Sequence, residues 1–175
     1  MMSVGNKVVY PCRGPCLIRA VVDKVVAGRS RSFYRLVFLD DSNGELFVPV
    51  ENLATLHIRS LLDRSEIPNL LGRLKDPAGT GKGIKAAKNW RQRNIDNSKL
   101  FSSGSAFDLA DIVESLTELG DVKSLSPHDR ETLARARRLL VCEISEVTGE
   151  QKSVVEDQVT KALHSGKHDT ASSQN

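Results

Sequence analysis

The sequence predicts an α+β chain in two parts, a small N-terminal β module followed by an all-α helical bundle. Two patterns predict this. Residues 4–59 alternate short runs rich in Val, Ile, Leu, Phe and Tyr with turn compositions, whereas beyond Arg59 the apolar residues recur every three to four positions. Length sets the scale: 175 residues, 39% hydrophobic and 27% charged, suit one ordinary globular domain or two small ones.

The strand candidates are "NKVVYP", "CLIRAVVDKVV", "SFYRLVFL" and "ELFVPV". Gly14-Pro15, residues 27–30 and residues 41–44 separate them, and Asn43-Gly44 is a strong hairpin cue because both residues tolerate positive φ. Four or five short strands in residues 1–60 cannot make a large sandwich. A strongly bent barrel of the SH3 or Tudor type closes them, with Pro11 and Pro49 at strand ends or on edge strands.

After the break near 60–64 the period is helical. Ser65 is the expected cap of a short helix to Leu74, with Pro68 tolerated in its first turn. Residues 76–83, "DPAGTGKG", read as a hinge, so 61–83 is a short helix plus a basic Gly-rich linker. A helix is expected to restart near Ile84 and carry Trp90, opening a helical domain over 84–164. Ser105 with Asp108 caps the next helix, which Gly120 should end, and Ser126-Pro127-His128-Asp129 starts another that runs to Gly149. A last amphipathic helix covers about 151–163, and the polar tail 165–175 reads as disordered.

Composition excludes several functions. No apolar run approaches the roughly 20 residues of a membrane span, and no signal-peptide core is present, so a cytoplasmic chain without membrane contact is expected. Cys12, Cys16 and Cys142 form no disulfide framework, and Cys12 and Cys16 lack the second ligand pair that a structural zinc needs. "AGTGKG" is not a phosphate loop, because Asp76 and Gly83 stand where a glycine and a Ser or Thr are required. No nucleophile–base set is recognisable. The reading is a non-enzymatic, monomeric protein with no metal and no cofactor.

Charge points to the partner. Residues 1–60 carry a net +3, residues 61–100 a net +5 and residues 101–175 a net −5. The excess peaks around "KAAKNWRQRN", where Lys85, Lys88, Arg91 and Arg93 flank the single tryptophan, Trp90. Trp90 either anchors the helical core beneath snorkelling cations or is an aromatic wedge, with the cations on phosphates and the ring against bases. The thin apolar stripe around it (Ile84, Ala87, Ile95, Leu100) favours the wedge. Arg130, on the helix after Ser126, is a further candidate for nucleic acid; Arg135, Arg137 and Arg138 are weaker ones.

"VGNKVVYPCRGPCLIRAV", "FVPVENLATLHIR", "NWRQR" and "LSPHDRETLARARRLLVCEI", in that order over residues 3–163, resemble the bacterial CarD/CdnL family of transcription regulators. The resemblance implies a Tudor-like module that docks on the RNA polymerase β subunit, sheet against sheet, with contacts near Lys24, Val25, Val26, Phe47 and Pro49. It further implies a helical domain at the upstream fork of the transcription bubble, where Trp90 wedges into the minor groove and stabilises the open promoter complex. Arg93 and Arg130 would fill basic positions there, with Lys85, Lys88 and Arg91 on phosphates. Phe47, His57 and Ile95 depart from residues common in relatives. The alternative is a free-standing, weakly sequence-specific DNA- or RNA-binding protein without polymerase contact.

Overall fold

A computed structural model of the chain describes residues 2–75 and 89–171. The N-terminal part is a five-stranded antiparallel sheet of order β4-β3-β2-β1-β5, with β1 (Lys7–Tyr10), β2 (Gly14–Val26), β3 (Arg29–Phe38), β4 (Glu45–Pro49) and β5 (Arg59–Ser60). Among the described residues the helices are α1 (Ile67–Lys75), α2 (Trp90–Ser103), α3 (Ala106–Val122), α4 (Pro127–Thr148) and α5 (Lys152–Ala171). A Tudor-like β module followed by helices is the α+β order that the sequence predicts.

Turn chemistry shapes the sheet. β2 and β3 close over Ala27 and Gly28, both with positive φ (50° and 75°), and Val26 pairs with Arg29. That two-residue turn has the twist a hairpin needs. Asn43, at φ 51°, serves the β3–β4 connection. β2 slips register between Ile18 and Ala20, and such a bulge bends a long strand. Its first half thus wraps the module's core of Val8, Cys16, Ile18, Tyr34, Leu36, Val48 and Ile58, while its second half extends with β3 as a ribbon. Pro49 ends edge strand β4, where a missing N–H is tolerated.

The helices follow their caps with a few differences. The Ser126 hydroxyl accepts from the Asp129 amide at 3.1 Å, Pro127 takes the first position, and Gly149 at φ 76° closes α4. Ser105 caps α3, but α3 passes Gly120 and ends at Val122. The turn leading into α1 is opened by Asp63 rather than Ser65: the Asp63 amide donates to the Glu66 carboxylate at 3.0 Å, and the Glu66 amide to the Asp63 carbonyl at 2.9 Å. α5 runs to Ala171, so the disordered tail expected from residue 165 is helical that far; Gly166 has no proline after it to stop the helix. The hinge expected over 76–83 and the helix restart at Ile84 lie outside the described residues.

Segment 61–83 was expected to join two domains, yet α1 is part of the helical core. Leu70 and Leu74 are fully buried with Ile112, Leu116, Leu140, Ile144, Val155 and Val159. Leu62 and Cys12 pack against the same cluster, so the β module leans on it directly.

Side chains lock the two parts together. Arg59 of β5 donates from Nη1 and Nη2 to Glu143 of α4 at 2.7 and 2.8 Å, and from Nε to the Gly104 carbonyl at 2.8 Å. The Leu62 amide adds a hydrogen bond to Glu143 at 3.1 Å, and the Glu143 side chain is 1% exposed. The β1–β2 turn docks beside it: Arg135 Nη2 donates to the Cys12 carbonyl at 2.9 Å, and the Arg135 guanidinium lies 4.9 Å from the Phe101 ring centroid. Gly14 is required there, because its φ is +95° and a Cβ would sit 3.0 Å from Leu139.

Glu143→Ala leaves the Arg59 guanidinium and the Leu62 amide facing an empty site, so a loss of about 3–5 kcal/mol is expected. Urea unfolding should show it as a lower midpoint with an unchanged slope. On α3, burial pushes the half-buried Glu114 carboxyl up from 4.5 to about 7, helped by the charges of Glu118 and Asp111. The folded value lies above the unfolded one, so ionisation favours unfolding and stability falls as pH rises from 4.5 through 7. Glu114→Gln should therefore stabilise by about 1 kcal/mol at pH 8, allowing for the exposed half of the side chain, and raise Tm by roughly 2–4 °C. Thermal melts at pH 4 should show no such gain.

Candidate nucleic-acid interface

Trp90 is the first residue of α2, and Asn89 before it is the cap: the Asn89 side-chain carbonyl accepts from the Arg91 amide at 2.9 Å. As the first residue of α2, Trp90 has no earlier turn of that helix beside it. The indole is 59% exposed, so Trp90 does not anchor the core. The Arg91 guanidinium lies 5.5 Å from its ring centroid, close enough for a cation–π contact that holds the ring's face. Ile95, one turn further along, is also exposed.

Arg93 departs from the sequence reading. It was expected on the nucleic-acid face, but its side chain is 6% exposed and Nη2 donates to Asp129 Oδ2 at 2.9 Å. Asp129, itself 6% exposed, also accepts from the Ser126 hydroxyl at 2.9 Å. Burial alone would raise the Asp129 carboxyl, but the hydrogen bonds from Arg93 and Ser126 and the charge of Arg93 outweigh it and hold the carboxyl below its usual range. Arg93 therefore ties α2 to α4.

That ion pair brings two helix starts together. The His128 ring nitrogen Nε2 lies 3.1 Å from Asn94 Oδ1, a second link between the first turn of α4 and the second turn of α2. Arg130 follows Asp129 on α4 and is exposed. One end of the bundle thus presents Trp90, Arg91, Ile95 and Arg130 beside two capped helix N-termini, whose free amides favour anions. Lys85 and Lys88 lie outside the described residues. Sequence reasoning missed Asn89 and, for Asp129, the pairing with Arg93. Asn89 carried a signal, since asparagine is a preferred cap; the pairing did not, because its partners lie 36 residues apart.

The other arginines of α4 are put to different uses. Arg137 pairs with Glu156 at 2.7 Å and Arg135 holds the β1–β2 turn, whereas Arg138 is exposed.

The second predicted surface is on the sheet. Cross-strand partners share a face, and the pairs Lys24–Arg31, Val26–Arg29, Arg35–Phe47 and Phe33–Pro49 put Lys24, Val26, Phe47 and Pro49 on one side. Lys24 Nζ stands 3.4 Å from the Phe47 ring centroid. Val25 points to the opposite face and is 75% exposed, so it does not join that cluster. Beside the cluster, β4 is the outer strand of the sheet, an edge open to a further strand. Among the described residues no group of three or more His, Cys, Asp or Glu side chains could hold a metal ion, and no helix is long and apolar enough to cross a membrane.

Residues 2–62 match the family described as CarD-like/TRCF RID domain, and residues 80–160 match CarD, C-terminal domain. The chain is also similar to YdeB of Bacillus subtilis (strain 168), named provisionally as a transcription factor. The two are 22% identical over 149 residues, which cover 85% of this chain and 94% of that protein.

Arg93→Ala should cost about 3–5 kcal/mol in urea unfolding, because it strands Asp129 in the interior. Trp90→Ala, at an exposed site, should stay within about 0.5 kcal/mol of wild type. The intrinsic emission of the folded chain should be that of a wet indole, readily quenched by iodide.

Proposed function

The chain belongs to the CarD family, and from that membership we propose that it is a transcription regulator that binds the RNA polymerase β subunit and stabilises the open promoter complex. The observation that carries the reading is the exposed Trp90, with Arg91 against its ring and Arg130 exposed on the helix start that the Arg93–Asp129 pair joins to α2. A flat apolar ring gains most where base stacking is already broken, at the upstream fork of the bubble, while cations and helix N-termini hold phosphates without reading sequence. DNA affinity of the free chain is then weak, and tethering to polymerase raises the effective concentration of the wedge. The tether we assign to Lys24, Val26, Phe47 and Pro49 with the β4 edge, which fit sheet-against-sheet docking. Arg93 acts by positioning Trp90. No catalytic step is part of this reading, and a promoter partner puts the chain with the nucleoid in the cytoplasm.

The lifetime of open complexes on purified holoenzyme tests the proposal. Wild type should prolong it, and Trp90→Ala should remove most of the effect, about tenfold if one stacking contact is lost, while still binding polymerase. An unchanged lifetime with Trp90→Ala would sink the wedge. Phe47→Ala should weaken polymerase binding and leave affinity for forked DNA intact. If the wild-type chain binds forked DNA but not polymerase, the free-standing nucleic-acid binder is the better reading.

A further inference from the structure

A cleft of about 360 Å3 separates the β module from α4 and α5. Its floor is apolar, made by Pro15, Leu139, Val141 and Cys142, and its rim is charged. Two of the three acids on the rim are paired with cations. Glu156 pairs with Arg137 at 2.7 Å, Asp41 meets Lys152 at 3.6 Å, and Asp40 accepts from the Ser42 amide at 3.0 Å. Two cations are not paired in this way. Arg13, from the β1–β2 turn, and Arg138, from α4, both line the cleft and have no carboxylate partner among the described residues. The Arg13 guanidinium lies over the Phe38 ring, 5.7 Å from its centroid.

Two uncompensated guanidiniums above an apolar floor select an anion with an apolar body. Planar forks match phosphate oxygens in pairs, and the volume suits a small molecule rather than a polymer. We propose that this cleft binds a small organic phosphate of mononucleotide size. Its phosphate lies between Arg13 and Arg138, and its apolar part covers Pro15, Leu139 and Cys142. Arg13 belongs to the β1–β2 turn and Arg138 to α4, so the ligand bridges the two modules and fastens one to the other. Binding requires neither polymerase nor DNA.

Calorimetric titration of the full chain tests the site, with adenosine 5′-monophosphate, uridine 5′-monophosphate and glycerol 3-phosphate as probes. Adenosine and inorganic phosphate are the controls. At least one organic phosphate should bind more tightly than inorganic phosphate and raise Tm, while adenosine should do neither. Arg13→Ala and Arg138→Ala should each weaken binding at least about tenfold, with Arg138→Lys in between. Arg64→Ala, outside the cleft, should bind as wild type does. Melts of the unliganded variants establish that each is folded. No binding by any of the three probes at millimolar concentration overturns the proposal. So does binding no tighter than that of inorganic phosphate, or equal affinity in the Arg138→Ala and Arg64→Ala variants.

Discussion

The docking of the β module on the helices depends on how Glu143 is held. A carboxylate with 1% exposure is costly unless each oxygen has a donor. Here both oxygens face the Arg59 fork and the Leu62 amide adds a third donor. The donors come from β5 and the segment just after it, the acceptor from the middle of α4. A misdocked sheet would leave a bare charge in the interior, so the pair specifies one orientation of the modules more than it adds net stability. The desolvation cost that makes such a pair a weak source of stability also makes its alternatives expensive.

α4 then works as a beam. Glu143 clamps the sheet, and Asp129, fourteen residues or about 21 Å earlier along the same helix, clamps α2 through Arg93. The exposed corner of Trp90, Arg91 and Arg130 is therefore fixed relative to the edge strand β4, although no residue of one surface needs to touch the other. A protein that must reach two partners at a set separation gains from such a spacer, because a rigid span keeps the effective concentration of the second contact high.

The arginines show how charge divides between structure and surface. Arg59, Arg73, Arg93 and Arg137 each meet a carboxylate from another element, at 2.7 to 2.9 Å. The acidic surplus of residues 101–175 supplies all four partners, Glu143, Asp111, Asp129 and Glu156. Net charge by segment thus overstates what the basic stretch offers a ligand. Arg93 is the clearest case: its place three residues after Trp90, near Lys88 and Arg91, suggested a phosphate contact, and tertiary folding turned it inward.

The sequence by itself determined what is local. Period-2 and period-3.6 patterns separated sheet from helices, because side-chain direction follows backbone geometry. Asn43-Gly44, Ser105, Ser126-Pro127 and Gly149 marked turns and caps, because each satisfies backbone groups within a few residues. The motifs around Tyr10, Glu51 and Trp90 pointed to the family. What only the tertiary structure decided is which side chains meet across long separations. The Arg59–Glu143 lock spans 84 residues and the Arg93–Asp129 pair 36. The inclusion of α1 in the helical core and the cleft between Arg13 and Arg138 are of the same kind. Burial of a charge depends on where its partner is carried by the rest of the chain, and no local pattern encodes that.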